Sequence, residues 1–238
     1  MFKYIFTMIL GVTLATSAWS KNIRVDMEDK DTLELTGIVS FGAVEPLVNT
    51  LLARAGKTKE VTIVINSPGG EVMSGLHLIN VMNMAKSRGT RIKCVTTFVA
   101  ASMAMQIFAA CDSRYALRGS YLLFHPVRMS VGGSMFSPGL DITPSLAKTI
   151  SIELDRLEKI LITDLRTALP LDDKTFYHHY NAETLWTAKE LVELAPGWAT
   201  LVDDIVGIKH LGIGESNKTA PEAAGEVIYV WSGIGIAE

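Results

Sequence analysis

The stretch Val95–Cys111, VTTFVAASMAMQIFAAC, joins two local patterns and decides the fold class. Its first residues continue an apolar, β-branched run typical of a buried strand, and the part from Ala101 onward has the composition of a helix. Ser102 lies where the strand passes into the helix. A buried hydroxyl without a hydrogen-bond partner costs about 1–3 kcal/mol, so Ser102 needs either a local partner or a function.

The preceding segments repeat this alternation of strand and helix. TLELTGIVS (32–40) alternates and predicts a strand, VEPLVNTLLARAG (44–56) has helical spacing, and EVTIVIN (60–66) is a continuous apolar strand. A Gly-rich turn then leads into a helix from Val72 onward. Continuous apolar strands joined by helices predict a parallel sheet covered on both faces, so the predicted class is α/β.

The second half of the chain contains the longest predicted helix. YLLFHPVRM (121–129) predicts a strand, residues 132–145 a loop, and residues 145–169 the helix, which is followed by a short helix, TAKELVELA, and a strand, WATLVDDIV. At about 1.5 Å per residue the long helix is expected to project beyond a compact domain, and an exposed apolar stripe there would mark a partner surface. That stripe consists of Leu146, Ile150, Leu154, Leu157, Leu161, Leu165 and Leu169.

Composition and charge narrow the function classes. The 238 residues are 48% hydrophobic and 20% charged, which predicts a globular protein, and the net charge of −3 without a basic block argues against a nucleic-acid partner. His178 and His179 are adjacent and no Cys-x-x-Cys occurs, so we expect neither a metal site nor a cofactor. We expect one domain over residues 21–214, then a polar linker and apolar tail over 215–238.

Residues 1–20, MFKYIFTMILGVTLATSAWS, have the pattern of a cleavable signal peptide: one Lys, a short apolar stretch and then small residues. The pattern predicts a periplasmic or secreted protein. An uncleaved membrane anchor is the less favoured alternative, because the apolar stretch is shorter than the ~20 residues that span a bilayer.

An exported chain could oxidise its two cysteines, Cys94 and Cys111. Cys94 lies eight residues before Ser102 and Cys111 nine after it. A straight strand would place Cys94 about 26 Å from Ser102, and a helix would place Cys111 about 13 Å from Ser102. The difference of about 13 Å exceeds the Cα separation of ~7 Å that a disulfide tolerates. We therefore predict two free, buried thiols.

Two turns of the same kind place candidate functional groups at one sheet edge. Ser102 begins a helix after one strand, and INSPGGEV forms a Gly-rich turn after another. The carboxyl ends of parallel strands are where sites form in open α/β sheets. Gly69 and Gly70 let the backbone approach a ligand closely and leave an N–H free to point into the site. That N–H, assigned to Gly69, could form an oxyanion hole with the N–H of Met103. The alternative is that Ser102 merely caps its helix.

These motifs resemble the proteolytic subunit of the Clp protease, a serine peptidase of the crotonase-like superfamily. The family's Asn-Ser-Pro-Gly-Gly turn stands here as Asn66–Gly70, its Ala-Ala-Ser-Met segment as Ala100–Met103, and its strand-end histidine as His125. The resemblance covers roughly residues 35–206, and the helix at 145–169 is similar to the family's handle. It implies a crotonase-like fold of parallel sheets flanked by helices.

The resemblance also implies roles for the site residues. Ser102 would attack a peptide carbonyl, and His125 would take its proton and later deliver it to the leaving amine. The family's aspartate position is occupied by Glu183, which implies that this residue orients the imidazole, with Asn181 as the alternative. The nearby Asp172 and Asp173 are expected to be solvated loop residues instead.

The chain also departs from the family's pattern. Phe98-Val99 replaces a Gly-Gln pair, Ala104 replaces a glycine, and Pro126 replaces the glutamine after the histidine, which changes the substrate cleft. The resemblance implies peptide or unfolded-protein substrates and a homo-oligomer that forms a ring, as in the family. An exported chain is separated from cytosolic ATP, so no ATPase partner is expected.

Three other functions remain open at this point. A crotonase-like acyl-CoA enzyme shares the fold but needs no Ser–His pair, and a relative of signal peptide peptidase A would use a lysine in place of His125. A catalytically impaired pseudo-peptidase would keep Ser102 as part of a folded scaffold. The preferred interpretation is a serine endopeptidase with a Ser-His-acid mechanism in an extracytoplasmic compartment.

Overall fold

The computed structural model describes residues 24–26, 31–128 and 143–206. The predicted signal peptide, most of the predicted loop at 132–145 and the tail from 215 lie outside these residues. The helices and strands are, in chain order, β1 (Arg24–Asp26), β2 (Thr32–Thr36), α1 (Phe41–Arg54), β3 (Glu60–Ser67), α2 (Val72–Ser87), β4 (Arg91–Ala101), α3 (Met103–Ala109), β5 (Ser113–Leu117), β6 (Tyr121–Leu123), α4 (Pro144–Ala168), α5 (Asp173–Ala182), β7 (Leu185–Thr187), α6 (Ala188–Leu194), β8 (Thr200–Val202) and β9 (Asp204–Val206).

The main sheet is parallel, as predicted. Its strand order is β2-β3-β4-β5-β8, and all of these pairings are parallel. The strand β6 pairs in parallel with the last residues of β4, and β7 adds to β6 in antiparallel orientation. A separate two-stranded sheet joins β1 and β9. The predicted strand at 198–206 is thus two short strands that belong to different sheets.

Helix boundaries follow local capping chemistry. Ser40 accepts a hydrogen bond from the Ala43 N–H at the start of α1, and Thr143 accepts one from Leu146 at the start of α4. Thr187 and Glu190 form a capping box on α6. These caps satisfy N–H groups that have no partner within the helix.

The strand β4 is bent by an irregularity in its pairing with β3. Ile65 pairs with Thr96, but Ser67 pairs with Ala100, so β4 contains two more residues than β3 over this interval. Before the bend β4 pairs with β5, and after it with β6. Such a bulge bends its strand and re-aims the residues that follow, here Ser102.

The prediction of free thiols is wrong, because Cys94 and Cys111 form a disulfide with their Cα atoms 5.9 Å apart. The prediction treated the path from Cys94 to Ser102 as a straight strand. The bend in β4 shortens that path, and Cys111 lies beyond the end of α3, where a turn extends its reach. Both residues are buried. The disulfide therefore joins the strand that leads to Ser102 to the helix that leaves it.

The long predicted helix is confirmed as α4, but its apolar stripe has two different halves. Leu161, Leu165 and Leu169 are buried in the main core, whereas the amino-terminal half of the stripe is only partly buried. In addition, Ile152 and Ile160 are 55% and 42% exposed. The carboxyl-terminal half of α4 thus anchors the helix to the core. In the part of the chain that the structure describes, no helix has the length and apolar character needed to cross a membrane.

Candidate active site

Ser102 has a strained backbone and an unengaged side chain. Its φ of 55° and ψ of −123° are rarely adopted by non-glycine residues, and such strain is typical of functional sites. The Ser102 N–H donates to the Leu123 carbonyl at 2.8 Å, which ties the residue to the end of β6. Its side chain makes no capping hydrogen bond to α3. The interpretation of Ser102 as a helix cap is therefore not realised.

Ser102 and His125 line the same cavity, which has a volume of about 230 Å³. Because β6 runs parallel to the end of β4, the chain after β6 leaves the sheet beside Ser102. Phe124, the residue between β6 and His125, is buried and stacks on Phe176 of α5 at a centroid distance of 5.4 Å. Backbone pairing on one side and aromatic packing on the other thus position His125.

The His125 ring is held in one tautomer. Its Nδ1 lies 2.7 Å from the Pro126 carbonyl oxygen. A carbonyl can only accept, so this contact places the proton on Nδ1 and leaves Nε2 free to act as a base. Burial lowers the pKa of His125, and the positive charge of Arg128 lowers it further, while the contact with Pro126 opposes these effects. The ring is therefore neutral at neutral pH.

Glu183 lies at the end of α5, where its backbone is left-handed with a φ of 51°. Its carboxylate forms an ion pair with the guanidinium of Arg128, a residue that also lines the cavity. The structure therefore brings Ser102, His125 and Met103 to one cavity, and it connects Glu183 to that cavity through Arg128. The role of Glu183 as the acid that contacts His125 stays a prediction.

The alternative acidic or polar partners lie elsewhere. Asn181 lines a different surface depression, together with other residues of α5. Asp172 caps α5 by accepting a hydrogen bond from the Thr175 N–H at 3.0 Å, and Asp173 pairs with Arg166. Both aspartates are exposed, but they belong to the start of a helix rather than to a loop.

The Ser-Pro-Gly-Gly turn packs closely against Ser102. A Cβ atom on Gly69 would lie 2.6 Å from both the Ala101 carbonyl oxygen and the Ser102 Cβ, so only glycine fits there. The N–H of Gly69 donates to Ser67 Oγ at 3.1 Å. The next residue, Gly70, lines the cavity, and within the described ranges neither its N–H nor that of Met103 has a hydrogen-bond acceptor.

Sequence reasoning singled out both glycines of the turn but assigned the donor to Gly69 rather than Gly70, and it missed Arg128. Gly70 belongs to the same Ser-Pro-Gly-Gly turn that singled out Gly69, but only the fold shows which N–H is already used. No sequence pattern marked Arg128, because its position at the cavity depends on the path that the chain takes after β6. The cavity wall formed by described residues contains no lysine, which removes the support for a Ser–Lys site. Those residues also contain no cluster suited to a metal ion.

A serine on a strained strand-to-helix turn shares a cavity with a neutral histidine and with two backbone N–H groups that have no acceptor among the described residues. This combination defines a site of the nucleophilic hydrolase class. The model of one family, described as Clp protease, matches residues 17–161. The match spans more than half of the 238 residues, and the chain belongs to the Clp protease family. Its α/β architecture is that of this family, as the resemblance in the sequence implied.

Curated relatives agree with the family match. The chain is 36% identical over 107 residues to an ATP-dependent Clp protease proteolytic subunit of Leuconostoc citreum, which covers 44% of this chain and 50% of the relative. It is 33% identical over 132 residues to a subunit of the same name from Streptococcus mutans, covering 53% and 64%. The chain thus spans about half to two thirds of the length of these relatives.

Proposed function

We propose that this chain is a serine peptidase in which Ser102 is the nucleophile and His125 the general base. The observation that carries the proposal is the shared cavity of an uncapped, strained Ser102 and a His125 whose free Nε2 can accept a proton. Family membership supports it, since the similar proteins are named proteolytic subunits of a Clp protease.

The proposed reaction is acyl transfer in two steps. His125 Nε2 takes the proton from Ser102 Oγ as the oxygen attacks the carbonyl carbon of the substrate, and the carbonyl oxygen becomes an oxyanion. The imidazolium then gives its proton to the leaving amine, and the C–N bond breaks. Water, activated by the same nitrogen, hydrolyses the ester and restores Ser102.

Backbone N–H groups are proposed to stabilise the oxyanion. The Met103 N–H was expected in this role, and the absence of an acceptor for it among the described residues supports the assignment. Gly69 was expected to provide the second donor, but its N–H already donates to Ser67 Oγ. We propose that Gly70 supplies the second N–H and that Gly69 provides the close backbone approach.

Glu183 is proposed to complete the triad. In the described conformation His125 Nδ1 contacts the Pro126 carbonyl, and the Glu183 carboxylate is paired with Arg128. The carboxylate can therefore contact the imidazole only after the ion pair with Arg128 breaks. This arrangement also favours the second candidate, a pseudo-peptidase scaffold in which Arg128 keeps the acid away permanently. The experiment below separates the two functions.

Location and assembly belong to the same proposal. We propose an extracytoplasmic protein that acts on peptides or unfolded chains without an ATPase, because the first 20 residues have the pattern of a signal peptide. The disulfide between Cys94 and Cys111 supports this location, since such bonds persist in oxidising compartments. We also propose a homo-oligomer that uses α4.

A fluorophosphonate probe on the purified mature chain tests the peptidase proposal. We expect one probe per chain, no labelling of the Ser102→Ala variant, and labelling slowed by on the order of 10²-fold or more in His125→Ala. The variant Ser87→Ala, at the exposed end of α2, is the matched control and should label like the parent. A folded parent chain that does not react would overturn the proposal in favour of the scaffold.

A further inference from the structure

Gln106 is a largely buried residue whose carboxamide remains open to a cavity and has no protein partner among the described residues. The residue lies four positions after Ser102 on α3, and its N–H donates to the Ser102 carbonyl at 3.3 Å. Residues spaced by four lie on the same face of a helix. Gln106 is only 8% exposed, and in the described part of the chain its side chain makes no hydrogen bond. A ligand that displaces water from this amide must offer it a hydrogen bond, because an amide left unpaired under a ligand is costly.

Gln106 lines the cavity that contains Ser102 and His125. Most of the wall around it is apolar, with Val72, Phe124 and Leu161 contributing side chains. Ser102 and His125 belong to the proposed catalytic pair, and the charged Arg128 pairs with Glu183. Among the described residues of the wall, Gln106 is therefore the uncharged polar side chain outside the proposed catalytic pair that can bind a ligand's side chain.

The position of Gln106 identifies the part of a substrate that it would meet. In the proposed reaction the acyl group becomes bonded to Ser102 Oγ, at the start of the helix on which Gln106 lies one turn further. The side chain of the acyl residue at the cleaved bond then shares the cavity with Ser102 through both steps. A site rejects a ligand that covers a hydrogen-bonding group and leaves that group unpaired.

We propose that Gln106 is a specificity-determining residue that selects a substrate side chain with its own amide or hydroxyl group at the acyl position of the cleaved bond. An uncharged polar side chain can both donate to and accept from the carboxamide, while its methylene groups contact the apolar wall. An apolar side chain of the same size leaves the Gln106 amide unpaired. This inference rests on the proposed peptidase function.

Gln106 also borders a second cavity of about 350 Å³, which is lined by Asn83, Lys86 and Asp164 among others. There the Lys86 ammonium already donates to the Ala110 carbonyl at 2.8 Å. Asn83 is an exposed amide in that second cavity and does not line the first. It therefore provides a matched control for the removal of a side-chain amide.

The test uses two fluorogenic peptides that differ only in Gln or Met at the acyl position, since these side chains are unbranched and similar in size. For the parent chain we expect kcat/KM to be on the order of 10-fold higher for the Gln peptide. In Gln106→Met we expect the preference to be lost or reversed, whereas Asn83→Leu should keep it. Equal ratios for the parent and Gln106→Met would overturn the inference.

Binding separates a failure of this inference from a failure of the peptidase proposal. Calorimetry with Ser102→Ala measures the affinity for the same two peptides without cleavage, and the double variant Ser102→Ala/Gln106→Met removes the amide. A Gln preference of about 10-fold in the first and none in the second supports the inference even if the fluorophosphonate probe fails to react. No preference in the first overturns it, whatever the probe shows. Thermal unfolding of each variant confirms that it is folded.

Discussion

Ser102 is held in its strained conformation by backbone contacts on two sides. The Leu123 carbonyl accepts its N–H, and Gly69 packs so closely that any side chain there would collide with the serine. The conformation costs roughly 1–3 kcal/mol, which the surrounding structure must supply. The strain keeps Ser102 Oγ from capping α3 and leaves it available to His125.

The charge of Arg128 provides a test of the environment of His125. Burial and Arg128 both lower the pKa of His125, so the acid limb of the kcat/KM profile should have its midpoint below about 6.5. Protonation removes the base, so activity is lost as pH falls through this midpoint. Removing the like charge in Arg128→Gln raises the pKa, and the acid limb should move to higher pH.

The opposite substitution in the same ion pair is the control. Glu183→Gln leaves the charge of Arg128 uncompensated, so the acid limb should move to lower pH. A profile that stays in place in both variants would show that the ion pair does not act on His125.

The lowered pKa of His125 also affects stability. Because its pKa in the folded chain lies below its pKa in the unfolded chain, the unfolded chain binds more protons in the range between the two values. The free energy of unfolding should therefore fall as pH drops below about 6.5.

At the scale of elements, the strand β4 and the helix α3 form a unit that sets the position of Ser102 in the candidate active site. The bend in β4 lets one strand pair with β5 before it and β6 after it. The disulfide closes this unit from Cys94 to Cys111, a separation of 17 residues. Crosslinking a loop of this length lowers the entropy of the unfolded chain.

Loss of the disulfide should destabilise the protein. We expect Cys94→Ala/Cys111→Ala to lower the free energy of unfolding by about 3 kcal/mol, measured by urea denaturation. Alkylation of the denatured chain without reductant should add no alkyl groups, and alkylation after reduction should add two. The double variant should be insensitive to reductant. Two alkyl groups on the unreduced chain would contradict the disulfide.

At the scale of the whole molecule, α4 is a long helix that packs on the core along only part of its length. Its carboxyl-terminal half packs through Leu161 and Leu165, but Ile152 and Ile160 face solvent on the remaining surface of the helix. Exposed apolar side chains on a long helix mark a protein–protein contact. The carboxyl-terminal half of the stripe predicted from the sequence is buried within the chain, its amino-terminal half is partly buried, and the two isoleucines lie off it.

We expect the mature protein to be a homo-oligomer that dissociates when this surface is charged. Ile152→Glu/Ile160→Glu should shift the sedimentation coefficient at micromolar concentration to that of a monomer, because burying a carboxylate in an apolar contact is unfavourable. Leu52→Glu, at a side chain on α1 that is 43% exposed, is the control and should keep the oligomer. A parent chain that sediments as a monomer would refute the prediction.

Local patterns in the sequence determined most elements of the fold. The apolar runs predicted β3 and β4, the 3.6-residue spacing predicted α1, α2 and α4, and the Ser-Pro-Gly-Gly and Ala-Ala-Ser-Met motifs marked the two turns of the site. The helix α5 was missed because its sequence, DKTFYHHYNA, is polar and buries only Phe176 and Tyr180. The Asp172 cap and the spacing of four between these aromatic residues were the available signals.

Tertiary structure alone decided the features that depend on how distant segments meet. The bend in β4 arises from its register against β3, and it brings Cys94 within bonding distance of Cys111. Likewise, the contact between Arg128 and Glu183 joins residues 55 positions apart. Periodicity reports which face of an element is buried, but strand register and bends are set by packing between elements, and no local pattern encodes them.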